Sequence, residues 1–500
     1  MRVIGLSLLL FWIIGLSKSE EETCSLINDE IDPALKEMTY DVGDGPKKFM
    51  AYVEPEVSSF YRDGEEKTKV VPLFNGLAAK FINLSNKHVQ HYWESGVGGN
   101  SVLMRYFDPF SSGGTASFPG HRFYMAHESE PENRLIEWVV KNYPENIYVY
   151  DPYLVEGDSQ RTEANLSVLN KEERVLYDKW RKNLAFNEQY KNFTGRSWLS
   201  NYDRPLPQSF MWRADYFDQE HWVTTKETHF VELPPAEKLN PIEKSDNRIL
   251  QDSDPRHLEE YRVKDQQTLN MTLKVLSCAP RVFEIDNFLS EAEIAHILDL
   301  AGGINLKEST TGDVGTDSSS KNRILAPEKG TRTRTSFNSW IPRERSPILD
   351  AIYRRSADLL RKDESLLRYR KSNEYPELPT SKPTCESLQL VHYSHRQEYT
   401  AHHDFGYSAI DDKHNGARFA TLLFYLNEGM EGGETSFPRW INGETFHRLS
   451  VVPKVGKAIL FYSQLPDGNM DDFSQHAAEP IVDGEKWLIN LWVWDPVYEI

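Results

Sequence analysis

With 500 residues, the chain is long enough for two or three hydrophobic cores, and its formal net charge of −19 excludes nucleic-acid binding through a general basic field. Charged residues at 27% and aromatics at 12% describe a soluble, folded protein rather than a disordered one. Only Cys24, Cys278 and Cys385 carry thiols, which excludes a disulfide-rich scaffold and a four-cysteine zinc site.

The N-terminus reads as a signal peptide over residues 1–19. Arg2 supplies the positive charge, Val3 to Leu16 the apolar run, and Ser17 and Ser19 the small residues before a cut after Ser19. The run is short of the ~20 apolar residues that a typical span needs, so membrane attachment is expected only if the segment stays uncleaved. Four N-glycosylation triplets, at Asn83, Asn165, Asn192 and Asn270, support a glycoprotein of the secretory pathway, in the endoplasmic reticulum lumen or secreted. In that oxidising setting a Cys278–Cys385 bridge is the expected pair, with Cys24 free or bridging molecules, although sequence leaves the pairing open. No retention tetrapeptide stands at Val497 to Ile500, so lumenal retention calls for a partner or another signal.

Residues 20–68 are acidic and without clear periodicity, a tether. Residues 69–153 hold short β-rich runs (AAKFIN from Ala78, VLMRYF from Val102, RFYM from Arg122, NIYVY from Asn146) punctuated by Gly, Pro, Ser and Asn, which predicts a small antiparallel sandwich or barrel. Residues 154–277 form a partly helical connector. Lys171 to Lys191 has apolar residues at helical spacing (Val175, Leu176, Trp180, Leu184), and Pro-rich, aromatic-rich pieces follow. Asp252 to Thr268 reads as an exposed stretch before the last domain, 278–500.

In that domain Arg281 to Ile285 predicts a strand, and Ser290 with Glu293 a capping box opening a helix. Ser346 to Lys362 predicts a second amphipathic helix. Strands then follow at Leu388–Tyr393, Phe419–Leu426, Ala458–Tyr462 and Trp487–Trp494. The fold class is mainly β with α: an N-terminal β-sandwich, a mixed helical connector and a C-terminal double-stranded β-helix, or jelly roll, with supporting helices.

The chemistry concentrates in that last domain. His402, Asp404 and His476 supply the two imidazoles and one carboxylate of a facial non-haem iron(II) site, in which open positions remain for a keto acid and O2. His402 and Asp404 are two apart, so along a strand they point the same way and His403 points away from the metal. Alone, H-x-D arises often by chance. Lys486, ten residues beyond His476 and at the start of a Trp-rich apolar strand, adds a cation whose burial would be costly without an anion. His392, His395, His414 and His447 read as surface or structural.

These motifs together resemble the prolyl 4-hydroxylases. The resemblance runs over about 280–496 and rests on LQLVHY at Leu388, YTAHHDF at Tyr399, RFATLLFYLN at Arg418, GGETSFP at Gly432, VPKVGKA at Val452 and KWLINLW at Lys486. Upstream, RVFEIDNFLS at Arg281 and TRTSFNSW at Thr333 also fit. The resemblance implies a 2-oxoglutarate-dependent dioxygenase of the procollagen-proline or peptidyl-proline 4-dioxygenase type, using Fe(2+), 2-oxoglutarate, O2 and ascorbate. It implies that Lys486, with Tyr393 and Thr435, binds 2-oxoglutarate, and that Tyr399, Arg418 and Trp492 line the peptide groove. Lys rather than Arg at 486 favours proline over lysine as substrate, because the two cations are not interchangeable at a carboxylate clamp. His403 departs from the pattern, where an aromatic is frequent, and so does Ala401, where Pro is common.

A second resemblance, over about 72–153, is to the β-domain of the von Hippel-Lindau protein. It rests on ASFPGHRFY at Ala116 and IYVYDPY at Ile147, and implies a hydroxyproline pocket at Ser117 and His121 with Trp93 and Phe123. Proline-rich or collagen-like peptides are the expected substrates, with self-association or a disulfide-isomerase-type partner as the expected assembly. The alternatives are another 2-oxoglutarate oxygenase, lysyl or small-molecule, and a hydroxyproline-binding scaffold with an inactive barrel.

Overall fold

A computed structural model describes residues 32–54, 74–94, 101–201, 209–226, 229, 268–309, 333–371, 373–406, 416–440 and 449–496. The signal segment, Cys24, His414, His447, the chain end from Val497 and nearly all of Asp252 to Thr268 lie outside them.

Strands β1 (Leu35–Tyr40) and β2 (Lys47–Tyr52) form an antiparallel hairpin within the segment expected to be a tether. Lys36, Glu37, Lys47 and Lys48 face solvent, which is why no core pattern is visible locally. Its few apolar groups, Met38, Tyr40 and Ala51, are buried by Phe186, Tyr190 and Trp198, far away in the chain.

The expected sandwich is present, antiparallel except where β9 (Ile147–Tyr150) joins β3 (Leu77–Asn83) in parallel. Strands β3 (Leu77–Asn83), β4 (Val89–Glu94), β5 (Ser101–Phe107), β6 (Ser111–Ser117), β7 (Arg122–His127), β8 (Glu130–Val139) and β9 (Ile147–Tyr150) make two sheets, ordered β6–β3–β9 and β5–β4–β7–β8. Phe81, Val89, Phe107, Phe123 and Met125 fill the space between them. Helices α1 (Ser159–Leu166) and α2 (Lys171–Thr194) follow. Asn170 and Glu173 cap α2 reciprocally, and Gly195 ends it with φ 75°, a conformation that costs glycine little. One stretch of α2 buries Tyr177 and Trp180 against the sandwich, and the next buries Phe186 and Tyr190 against the hairpin. The connector is therefore a brace between the two.

The barrel's major sheet comprises β10 (Glu220–Lys226), β11 (Thr268–Cys278), β12 (Arg281–Ile285), β13 (Lys307–Glu308), β14 (Phe337–Ile341), β15 (Leu388–Tyr393), β17 (Arg418–Tyr425), β21 (Ala458–Tyr462) and β24 (Lys486–Trp494). Their order is β10–β11–β12–β21–β17–β24–β15–β14–β13. Two strands thus precede residue 278, and the barrel begins earlier than expected. Alternation sorts the faces. Leu388, Leu390, Leu422, Phe424, Ile489 and Leu491 point outward to helices α3 (Glu291–Gly302) and α4 (Pro347–Leu359). Val391, Tyr393, Leu423, Tyr425, Ile459 and Leu488 point inward. They meet a smaller layer made of β16 (Tyr399–His402), β22 (His476–Ala478), β19 (Thr435–Phe437) and β20 (Leu449–Val451), with β18 (Glu431–Gly432) paired to β23 (Ile481–Asp483). This is the expected double-stranded β-helix with supporting helices.

Ser290 and Glu293 form the expected capping box on α3. Glu293 also makes two hydrogen bonds to Arg355 of α4, at 2.9 and 2.8 Å, with both side chains fully buried. Glu293→Ala would leave the guanidinium without its carboxylate, and we expect a loss of about 3–5 kcal/mol in urea denaturation.

Two expectations fail. Cys278 and Cys385 are both free thiols. Cys278 ends β11, whereas Cys385 pairs with Val493 of β24 on the side away from β17, five strand steps across the sheet. At ~4.8 Å per step that is roughly 24 Å, far beyond the ~5.5–6 Å between Cα atoms that a disulfide allows. Asn83 cannot accept a glycan in this fold: its amide is buried and donates to the carbonyls of Lys87 and Asp108. Asn165, Asn192 and Asn270 are exposed.

The segment Gln464–Gln475 gathers the N-terminal parts onto the barrel. Asp467 accepts from the Tyr52 N–H (2.8 Å) and the Tyr190 hydroxyl (2.7 Å). Asn469 accepts from the Leu199 N–H (2.8 Å). Asp472 accepts from the Ala78 N–H (2.7 Å) and the Asn146 amide (3.0 Å). Hairpin, connector and sandwich are thereby fixed to the chain that leads directly into His476.

Candidate active site

His402 lies directly opposite His476 in the pairing of β16 with β22, so the two imidazoles face the same space. Asp404 follows just past the end of β16. The ligand atoms of the three residues lie within 4.8 Å of one another. His402 Nε2 is 3.8 Å from one Asp404 oxygen, and His476 Nε2 is 3.6 Å from the other. Each imidazole turns Nδ1 to a backbone carbonyl, His402 to Thr400 (2.8 Å) and His476 to Ser474 (3.0 Å). That arrangement fixes the tautomer and leaves each Nε2 lone pair facing the shared space. His403 points away, as expected, bonding to the Asp472 carbonyl (3.0 Å).

Burial, and then the facing His476, hold His402 well below the usual imidazole range, and burial lowers His476 as well. Burial alone would raise Asp404, but the two histidines, Arg418 and the Trp492 N–H keep it ionised, below the usual carboxylate range. Two neutral imidazoles and one carboxylate are the donor set that a divalent first-row metal needs. Asp404 Oδ2 also accepts from the Thr421 hydroxyl (2.8 Å) and the Trp492 indole (3.0 Å). Sequence reading missed Thr421, and its signal was a lone hydroxyl within the apolar run of β17. Thr421→Val removes one of these donors, and we expect Co(II) affinity to fall about tenfold or more in a spectroscopic titration.

Lys486 enters the same cavity from β24 and is 1% exposed. Its ammonium donates to the Gly433 carbonyl (2.5 Å). Among the described residues no carboxylate lies within ion-pair distance of it. Burial pulls it down to about 7, against weaker upward pulls from Glu434 and Glu479. Thr435 and Tyr393 line the cavity beside it, with the Lys486 ammonium 5.7 Å from the Tyr393 ring centre. The Thr435 hydroxyl accepts from Tyr425 (2.7 Å), which leaves its own O–H free to donate into the cavity. Arg334 is a second nearly buried cation here, lying over the Tyr399 ring and beside Gln389.

A sequence model of the 2OG-Fe(II) oxygenase superfamily matches residues 388–494. Probable prolyl 4-hydroxylase 3 of Arabidopsis thaliana is 34% identical over 239 residues, which is 45% of this chain and 74% of that relative. The chain belongs to the prolyl 4-hydroxylase family. Prolyl 4-hydroxylase 5 of Arabidopsis thaliana is 31% identical over 232 residues, or 44% of this chain and 70% of the relative. Among solved structures, the viral collagen prolyl hydroxylase of Paramecium Bursaria Chlorella virus-1 aligns at 24% identity with a TM-score of 0.29, covering 42% of this chain and 94% of that one. As a prolyl 4-hydroxylase-type protein, the chain is a 2-oxoglutarate-dependent dioxygenase, and the family's cofactors are Fe(2+), 2-oxoglutarate and O2. Its residues fit them: the triad matches the metal, and a buried ammonium with no carboxylate among the described residues to pair with matches a dianionic co-substrate.

The residues expected to line the groove divide. Tyr399 lines the cavity, stacked on His402 with ring centres 3.4 Å apart. Trp492 lines it too, although its N–H is spent on Asp404. Arg418 does not line it. Its guanidinium is buried, paired with Glu386 (2.8 Å) and packed 4.1 Å from the Trp492 ring centre, so it braces that indole from behind.

In the sandwich, Ser117 Oγ and His121 Nδ1 are 3.1 Å apart, and Trp93 and Phe118 flank the imidazole at 5.7 and 5.6 Å between ring centres. The Trp93 N–H is buried and finds no hydrogen-bond partner among the described residues. Phe123 is not part of this cluster. It is a core residue, stacked on His91 and packed on Phe81, on the same sheet face as Trp93 but with no ring contact to His121.

Proposed function

We propose that this protein hydroxylates peptidyl proline to 4-hydroxyproline in proteins of the secretory pathway. The observation that carries the reading is Lys486, a buried ammonium with no carboxylate partner among the described residues, sharing one cavity with His402, Asp404 and His476. These three would hold the iron, and Lys486, with Thr435 and Tyr393, would hold the far carboxylate of 2-oxoglutarate. When bound, iron(II) supplies the oxidising chemistry, in which 2-oxoglutarate and O2 become succinate and CO2 as a substrate C–H becomes C–OH. The chain's residues position the reactants. Leu423, Phe461 and Leu488 keep the inner cavity apolar, while Tyr399 and Trp492 offer flat surfaces for a pyrrolidine ring. Ascorbate is the reductant we expect to sustain turnover. The signal segment and the exposed sequons at Asn165, Asn192 and Asn270 support the lumenal setting.

The Ser117–His121–Trp93 cluster favours an accompanying role, binding substrate that already carries hydroxyproline and raising its local concentration. The test is mass spectrometry of proline-rich, collagen-like and lysine-containing peptides after incubation with iron, 2-oxoglutarate and ascorbate. A gain of one oxygen on proline is expected. Modification confined to lysine would favour a lysyl hydroxylase, and no turnover with any peptide would favour a binding scaffold. His121→Ala should weaken binding of hydroxylated peptide alone, and equal binding by both proteins would remove the accompanying role.

A further inference from the structure

The glycosylation triplet at Asn270 lies at the edge of the major sheet. Asn270 of β11 stands opposite Thr224 of β10, and Thr272, the third residue of the triplet, stands opposite Trp222. Residues two apart on a strand, and residues directly opposite, share a face, so these four side chains lie together on one side of the sheet. The other side is taken by the protein's own core: Val223 is buried there, and the Thr225 hydroxyl donates to Asp358 of α4 (2.6 Å). Alternation therefore forces Trp222 outward. It is 68% exposed, the most open large apolar side chain among the described residues, and Thr224, Asn270 and Thr272 are exposed beside it.

The four triplets are not equivalent. The Asn83 amide is buried, and the Asn165 nitrogen donates to the Tyr153 carbonyl (3.0 Å). Asn192 sits on α2, where the adjacent Phe193 faces another way. At Asn270 the amide oxygen accepts from the Thr224 hydroxyl (3.4 Å), and the nitrogen makes no hydrogen bond among the described residues. Trp222 is its diagonal neighbour across the strand pair, a separation of about 7–8 Å that a group attached to Asn270 bridges. The indole face carries partial negative charge, and one face of a pyranose ring presents C–H bonds, so the two surfaces suit each other.

We propose that Asn270 carries an N-linked glycan whose first N-acetylglucosamine packs on the Trp222 indole. This rests on the secretory-pathway reading above. The donor is an oligosaccharide on a polyprenyl pyrophosphate. A bond forms between the Asn270 nitrogen and the anomeric carbon, the carbon–oxygen bond to pyrophosphate breaks, and one amide proton leaves with the lipid pyrophosphate. The attached sugar covers an apolar ring on β10, which is the end strand of the sheet among the described residues. An open edge with an exposed aromatic is a template for pairing with other chains, and the glycan blunts it.

The test uses the full chain, secreted from cells that make only high-mannose glycans. Peptide mapping by mass spectrometry should find Asn270 occupied. Melting temperatures are then compared for the intact glycoprotein, for protein trimmed by endoglycosidase to a single N-acetylglucosamine, and for protein stripped by amidase. Stripping should lower the melting temperature by about 2–4 °C, and trimming should leave it unchanged, because the first sugar makes the contact. In Trp222→Ala, stripping should cost nothing at this site, as in Asn270→Gln, whereas Trp222→Phe should keep most of the shift. If Trp222→Ala loses as much on stripping as wild type, or if trimming costs as much as stripping, the sugar does not rest on the indole. If Asn165 or Asn192 is occupied and Asn270 is not, the site is wrong while the lumenal setting stands. If no triplet is occupied, the setting is misread and the site falls with it. None of these readouts involves turnover, so the hydroxylase reading and the glycan can fail separately.

Discussion

Lys486→Ala should raise the 2-oxoglutarate concentration needed for half-maximal turnover by about 10²–10³-fold, because removing one partner of a buried, desolvated ion pair costs about 3–5 kcal/mol. Co(II) affinity should change little, since the ammonium donates to Gly433 and not to a metal ligand. Lys486→Arg should rescue poorly, because a planar fork does not occupy the site of a compact ammonium. The same residue sets a pH dependence. Burial lowers the free enzyme's Lys486 to about 7, so the ammonium is charged below that pH and increasingly neutral above it. The bound carboxylate favours the charged form. Binding below about pH 7 therefore takes up almost no proton, and binding near pH 8 takes up nearly one, with affinity falling about tenfold per pH unit above 7. Calorimetry at pH 8 in two buffers of different ionisation enthalpy measures this directly. No proton uptake there would mean either that Lys486 is already charged in the free enzyme or that the 2-oxoglutarate carboxylate binds elsewhere, and the Lys486→Ala titration separates the two.

His476→Ala should weaken Co(II) binding by more than the 10–100-fold typical of changes to groups that merely support a ligand, and should abolish succinate formation. Both imidazoles are held neutral by burial, and Asp404 keeps Thr421, the Trp492 N–H and nearby Arg418 when one is removed, so the apo-protein should keep its melting temperature within a few degrees. Unchanged Co(II) spectra in this variant would exclude His476 as a ligand. A parallel loss of melting temperature would instead point to its packing against Phe461, 4.6 Å away between ring centres.

Much of the barrel could be read from sequence because its strands are long apolar runs. β15, β12 and β21 fall where Leu388, Arg281 and Ala458 begin them, and β17 and β24 start one residue before the expected positions. The hairpin at Leu35–Tyr52 was not legible, since its apolar residues become a core only against α2. β10 and β11 were hidden for a related reason: Trp222, Leu269 and Thr224 face outward, so the strands lack the apolar run of their neighbours. At the site, the triad and Lys486 carry signals of spacing and of a charge in an apolar strand. Gln389 carries none and Thr421 only a lone hydroxyl in an apolar run, because their function comes from cross-strand register. The cysteine pairing failed for the same reason: sequence does not say how many strands separate two positions.

The segment between Gln464 and Gln475 makes the customary notion of a detachable catalytic module unsuitable for this protein. A truncation starting at residue 278 would remove the two strands that cover the edge of β12, exposing its unpaired backbone to other chains. It would also strip Asp467 and Asp472 of the backbone donors that Tyr52 and Ala78 provide, a few residues from a metal ligand. Fragment expression and crystallisation should therefore retain everything from the first hairpin onward, and substitutions in the sandwich should register in metal binding as well as in stability.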